Sequence, residues 1–264
     1  MNIFLREVKA NFKSLLIWSG IVILFVVVGF AKFTAYEGNP EMLAILDAMP
    51  PAVISAMNLT AFNLTTVTGF YGIMISYFAL MISIAAAMWG SDIISKEERD
   101  KTVEFALTLP VTRAQLLTAK IAAATLNCVL LLLVTWGATL VGAAPYQKDE
   151  KFYTFVALGT LTLFIVEMVF LAVGIFLGAA MKRYKRAGSM AVSILLGTFF
   201  LSIFTGLSKN LDFLKYFTPF KYFNPVELLN ESKLDIGFTL LSVALIAVFL
   251  VGAYLTYQRR DLYI

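Results

Sequence analysis

The chain contains no histidine and only one cysteine, Cys128. Without histidine, Ser-His-Asp and Cys-His catalysis and the commonest metal ligand are excluded together. A single cysteine, set inside an apolar run, allows neither a disulfide framework nor a cysteine metal cluster within one chain. No G-x-x-x-x-G-K-S/T phosphate loop occurs, so the chain has no P-loop route to ATP hydrolysis of its own. Charge is scarce as well: 14% of residues are charged and 60% are hydrophobic. Mean hydropathy is +0.83. That balance leaves no room for a separate soluble domain and describes a polytopic, all-α membrane protein over residues 1–264.

Six apolar runs are long enough to cross a bilayer, for which about 20 residues are needed: Leu15–Ala31, Gly69–Gly90, Ile121–Val141, Phe152–Met181, Gly188–Leu207 and Ile236–Tyr257. The fourth is longer and is expected to tilt or project. The first has charged residues upstream and no small-x-small cleavage site, so it reads as a retained helix.

Orientation follows from Lys and Arg in the connections. Fourteen lie on the side of both termini, of the 95–120 stretch and of the Lys182–Arg186 turn; seven lie on the other side, where nine acidic residues outweigh them. Both termini and the 95–120 segment are therefore expected in the cytoplasm. Met1–Ser14 reads as an interfacial amphipathic helix, with Phe4, Val8 and Phe12 on one face and Arg6, Lys9 and Lys13 on another.

On the outer side, Thr34–Thr68 holds Pro40, Pro50 and Pro51 and is expected to form one or two short surface helices. Ser208–Ile236 is dense in aromatics, among them Phe213, Tyr216, Phe217, Phe220, Tyr222 and Phe223. Such a density beyond a span marks the headgroup level more often than a substrate contact. The triplets Asn58-Leu-Thr60 and Asn63-Leu-Thr65 match the glycosylation pattern, a weak signal that needs a eukaryotic secretory route. Gly174-x-x-x-Gly178, followed by Ala179 and Ala180, permits close helix approach, most simply within the chain itself.

The stretch between the second and third spans is the most informative. Ser95 with Glu98, and Thr112 with Gln115, form capping-box patterns, in which each side chain satisfies a backbone donor left free at a helix start. Pro110 cannot continue a helix. The local expectation is a helix from Lys96 to Leu109, a break at Pro110–Val111 and a new helix entering the membrane near Gln115. Two capped helices meeting at a proline make an elbow that a soluble partner can grip.

Lys101-Thr-Val-Glu-Phe-Ala-Leu-Thr-Leu-Pro-Val-Thr-Arg113 resembles the G-T-x-E-x-L-L-S-x-P-V-S-R signature of ABC-2 type transporter permeases, with Lys101 standing where the family usually has glycine. Phe217-Thr-Pro-Phe-Lys-Tyr-Phe-Asn-Pro225, the Lys182–Arg186 turn and the terminal Arg259-Arg-Asp-Leu262 agree with it, in order along the chain. The resemblance implies the membrane-spanning subunit of an ATP-binding cassette exporter in a bacterial or archaeal cell membrane. Two permeases, identical or paralogous, would pair in the lipid. Separate cytoplasmic ATPase subunits would carry ATP and magnesium, with no cofactor on this chain and no nucleic-acid partner. Coupling to the ATPase would fall to Glu97, Glu98, Thr102, Glu104, Pro110 and Arg113, although a solvated charged face accounts equally well for Glu97, Glu98, Arg99 and Asp100 taken singly. The compact outer side resembles exporters of antimicrobial peptides, peptide toxins and drugs, which implies an amphipathic peptide or drug as cargo. Lipid and polysaccharide exporters share the same signature.

Glu167 lies midway along the fourth span among Phe164, Val166, Met168 and Phe170. A carboxylate at that depth costs about 2.5–3.5 kcal/mol on insertion scales, so it should face protein or a wet cavity. No Lys or Arg lies at that depth in the other spans. Its partner is therefore polar and uncharged, with Asn127 and Thr135 as candidates, or else the acid is protonated. It is either a packing group between helices or a group lining the cargo path. An ATP-independent secondary transporter or channel is the main alternative, but it predicts several intramembrane charges and a repeat of broken helices. An intramembrane enzyme is disfavoured by the missing histidine and paired carboxylates.

Overall fold

The computed structural model describes residues 3–39, 41, 48, 62–100, 111–181, 183–205 and 209–259. Seven α-helices occur among them: α1 (Ile3–Phe33), α2 (Val67–Arg99), α3 (Arg113–Ala143), α4 (Phe152–Ala180), α5 (Tyr184–Thr205), α6 (Pro225–Glu231) and α7 (Ile236–Arg259). Short 3-10 segments over Lys209–Phe217 and Pro219–Lys221 join α5 to α6. All except α6 are long and apolar enough to cross a membrane, and they coincide with the six runs read from sequence. No strand is found among the described residues.

Helices α2 and α4 pack along each other at the centre, α7 flanks α4, α1 lies against α3, and α5 lies against α2. Small residues allow the central contact. A Cβ on Gly174 would stand 2.4 Å from the Ala87 carbonyl oxygen, and one on Gly90 would stand 2.5 Å from that of Leu171. The Gly174–Gly178 pair thus serves close packing of α4 on α2 within the chain.

Two helix boundaries differ from the sequence reading. Residues 3–14 do not form a helix separate from the first span: α1 runs unbroken from Ile3 to Phe33. Its buried stripe passes through Glu7, Asn11, Leu15, Val22, Val26, Phe30 and Phe33. That four-residue rhythm holds one helix face against the bundle from end to end, while Leu5 and Phe12 are exposed. Nor does Ser95 start a helix. It lies inside α2, its hydroxyl donating to the Ser91 carbonyl at 2.7 Å. The buried neighbours Ile93, Ile94 and Glu97 keep α2 helical through that point to Arg99, so the S-x-x-E pattern is overridden by packing.

The second capping box forms as expected. Gln115 N–H donates to Thr112 Oγ1 at 3.2 Å, and Thr112 N–H donates to Gln115 Oε1 at 2.9 Å. Thr102, Glu104 and Pro110 lie outside the described residues, as do Lys182 and most of the 34–68 connection.

The aromatics beyond α5 divide into two groups. Phe213, Tyr216 and Phe217 are exposed. Phe220 stacks on Phe170 at 5.1 Å and Tyr222 on Phe238 at 5.0 Å. Asn224 caps α6 through the Val226 N–H at 3.1 Å, with Pro225 in the first helical turn. Ser232 ends α6 in the left-handed region, at φ 53°.

Candidate functional site

The ends of α2 and α3 that flank the 101–110 segment are fastened to the start of α1 by charge. Lys120 of α3 is fully buried. Its Nζ lies 3.0 Å from Glu97 Oε1 on α2 and 3.8 Å from Glu7 Oε1 on α1, and it donates to the Ile93 carbonyl at 2.7 Å. Arg6 Nη2 reaches Glu7 at 3.2 Å and Glu97 at 3.3 Å. Lys96 pairs with the other oxygen of Glu7. Three cations and two carboxylates from three helices therefore form one cluster, with Glu7, Glu97 and Lys120 out of water.

The local sequence explains the assembly. Lys96 and Glu97 follow the buried Ile93 and Ile94 on α2, and Lys120 lies two turns inside α3, after the Thr112 cap. Glu7 stands two turns before the apolar part of the α1 stripe. Trp89 strengthens the α1–α2 contact by donating its indole N–H to Ser14 Oγ at 2.8 Å. Such a cluster is costly to desolvate. Its members become interdependent, because three cations share two carboxylates and the loss of either carboxylate leaves buried charge unbalanced.

The sequence-predicted coupling residues fall into different environments. Glu97 is not on a solvated face; it is buried inside the cluster. Glu98 is half-buried, and Arg99 and Asp100 are exposed and paired at 3.0 Å. Arg113 directs Nη1 to the carbonyls of Gln258 and Tyr257, at 3.3 and 3.5 Å. A cation there complements the carbonyl end of α7, so the first residue of α3 also fixes the end of the last helix.

Glu7 and Lys120 were missed as site residues. Lys120 was visible only as one more cytoplasmic-side cation, and Glu7 was hidden among the basic residues of a segment read as interfacial. The usable signal was Glu7 and Asn11 at four-residue spacing before Leu15, continuing the inward stripe of the first span.

Glu167 is fully buried on α4. The Cys128 thiol of α3 stands beside its carboxyl, yet neither oxygen completes a hydrogen bond among the described residues. Asn127 is likewise buried with both amide atoms unpaired. The Thr135 hydroxyl donates to the Leu131 carbonyl at 2.8 Å, and with neither Glu167 oxygen bonded, neither Asn127 nor Thr135 is the partner the sequence suggested. No group of His, Cys, Asp and Glu able to hold a metal occurs among the described residues.

Six membrane-length helices, with a cluster of charges joining three of them at one end, define a multi-pass membrane protein. The chain belongs to the ABC-2 family of transporter proteins, whose family model matches residues 1–262. No curated protein matches the sequence.

Proposed function

We propose that this chain is the permease subunit of an ABC exporter, working as a pair of permeases with separate cytoplasmic ATPase subunits docked on the 95–113 region. The observation that carries the proposal is the Glu7–Lys96–Glu97–Lys120 cluster, which ties three spans together at the base of that region. A push applied to the 101–110 segment then displaces α1, α2 and α3 as one body instead of bending a loop. The family membership supplies the ATP-binding cassette context. The charge bias supports cytoplasmic termini in a bacterial or archaeal cell membrane. For cargo, spans joined without a large outer domain favour an amphipathic or antimicrobial peptide or a drug.

The test is coupling. Glu104→Ala and Arg113→Ala should leave membrane insertion and co-purification with the ATPase intact while lowering transport and permease-dependent ATP hydrolysis. Unchanged coupled turnover in both variants makes the segment a passive loop. Absence of any co-purifying ATPase returns the chain to the ATP-independent reading.

A further inference from the structure

At the end of the bundle opposite the charged cluster, a cavity of about 690 Å³ opens between α2, α4, α5 and the 209–238 region. That volume lies within the range of small-molecule sites. Ser76 of α2 lines it. The twenty residues from Ser76 to Lys96 span about 30 Å of helix, the thickness of a hydrocarbon core. Cavity and cluster therefore lie toward opposite ends of the bundle, with the cavity reaching inward along α4 as far as Val166.

The wall is graded by polarity. Leu163 and Val166 are buried, and Phe199, Ile203 and Phe220 are half-buried apolar groups. Lys221, half-buried, is the next polar level. Its ammonium makes no hydrogen bond or ion pair with the described residues; Asp212, the carboxylate near it, is bonded to Lys215 at 2.6 Å. Burial pulls the Lys221 ammonium below its ordinary range, an effect that Asp212 opposes. At the exposed rim stand Glu227 and Asp235. Glu227 accepts from Asn224 Nδ2 at 3.1 Å, and Asp235 accepts from the Phe238 N–H at 2.9 Å. By burial, the lining runs from apolar groups interspersed with the hydroxyls of Ser76, Thr162 and Ser202, through the half-buried Lys221, to the exposed carboxylates Glu227 and Asp235, while Lys215 is bonded to Asp212 and lies near Glu227.

We infer that this cavity binds a zwitterionic phospholipid of the adjoining leaflet, with acyl chain on the aromatic wall, phosphate at Lys221 and ammonium at Glu227 and Asp235. The order of groups in such a lipid, chain then phosphate then ammonium, repeats the order of the wall. A purely anionic ligand would meet a lining in which three carboxylates, Asp212, Glu227 and Asp235, outnumber the two ammonium groups of Lys215 and Lys221. The bilayer is the source because the α5 wall is continuous with its lipid-facing side: Phe199, Ser202 and Ile203 line the cavity while Phe200 and Phe204 are exposed. The ligand is a membrane lipid held by the permease, independent of what cargo the exporter moves.

The test uses the full chain reconstituted in vesicles of phosphatidylethanolamine and phosphatidylglycerol, with a trace of either lipid carrying a photoreactive acyl chain. Crosslinks are mapped to the cavity peptides and to the exposed α7 face at Leu240 and Val243, which reports ordinary boundary lipid. A charge-assisted phosphate contact is worth about tenfold in occupancy. Lys221→Glu should therefore cut phosphatidylethanolamine labelling in the cavity about tenfold while α7 labelling stays constant, and Lys221→Arg should retain the cavity label. Neutralising the rim with Glu227→Gln and Asp235→Asn should lower phosphatidylethanolamine labelling and raise that of phosphatidylglycerol. Undiminished labelling in Lys221→Glu overturns the proposal, as does loss of the cavity label in Lys221→Arg. Equal labelling by the two lipids, insensitive to the rim variants, removes the zwitterion assignment. Displacement of the label by soluble phosphoethanolamine makes the ligand a free headgroup and not a lipid. The readout is lipid contact, so its failure leaves the ATPase-coupling proposal untouched, and the reverse holds.

Discussion

Glu7 and Lys120 are both buried charges in one cluster, yet their removal should have opposite weight. Five charged groups meet there, three cationic and two anionic. Glu7→Gln leaves Arg6, Lys96 and Lys120 facing Glu97 alone, with Lys120 fully buried and its nearest remaining carboxylate already shared with Arg6. Breaking a buried pair in this way costs about 3–5 kcal/mol. Lys120→Met instead leaves two cations with two carboxylates and removes the charge that is hardest to solvate. The unbranched thioether occupies nearly the same space. Its lost hydrogen bond ends on the Ile93 carbonyl, which sits inside α2 and has helical N–H partners besides. The expected cost is about 1 kcal/mol or less, because Glu7 keeps Lys96 and Arg6 and Glu97 keeps Arg6, so neither carboxylate is left unpaired. The double variant Glu7→Gln with Lys120→Met returns the cluster to one excess cation, as in the wild type, and should recover about 2 kcal/mol of the Glu7→Gln loss. Unfolding of the purified full chain in mixed micelles, titrated with sodium dodecyl sulfate, measures all three. With Trp18 and Trp136 replaced by Phe in every variant, Trp89, bonded to Ser14 two turns from the cluster, gives a local fluorescence signal. A Lys120→Met loss as large as that of Glu7→Gln, or a double variant no better than Glu7→Gln, refutes the charge-balance reasoning.

Gly174→Leu should lower stability by at least about 1–3 kcal/mol, because even its Cβ would meet the Ala87 carbonyl at 2.4 Å, whereas Gly137→Ala, whose Cβ would meet nothing within 4 Å, should be neutral or slightly stabilising; thermal midpoints in detergent compare them. Glu167→Gln should keep both stability and export of cationic and neutral cargo, since the side chain is enclosed between α3 and α4; a selective drop in cationic export would make it a cargo contact instead. With Cys128 replaced by serine, a cysteine at Lys148 should react with an impermeant thiol reagent from outside, and one at Lys185 only after the membrane is opened; the reverse pattern overturns the charge-based orientation.

The spans were legible because each carries its own signal. About 20 apolar residues in a row need no partner to be recognised, and α3, α4 and α7 start and stop within a few residues, or two turns, of where hydropathy drew them. The helix ends were less legible, for opposite reasons at two similar motifs. Thr112 caps α3 through its reciprocal bonds with Gln115, at the point where the sequence places a proline, a residue that cannot propagate a helix. Ser95 carries the same kind of signal with no breaker before it and with Ile93 and Ile94 buried against the bundle, so the helix runs through it. A capping box reports a preference worth about 1 kcal/mol, and burial of two isoleucines outweighs that several-fold.

The cluster was illegible for a different reason. Its five members lie at positions 6, 7, 96, 97 and 120, and a charge is recognisable as buried only through the groups that meet it. Read singly, Glu97 is a charge on a run of charges and Lys120 is a cation on the positive side. What joins them is the packing of α1 on α3 and the passage of α2 between its partners, which rest on apolar stripes far from the charges. The order of causes therefore runs from the spans to the site: hydrophobic packing fixes the three helix ends within ion-pair distance, and the ions then make those ends move together. Substitutions that loosen the stripe at Val22 or Val26 without touching a charge should weaken coupling through the cluster, because its geometry depends on α1 staying in register. An ion cluster that assembled α1 by itself would tolerate those changes.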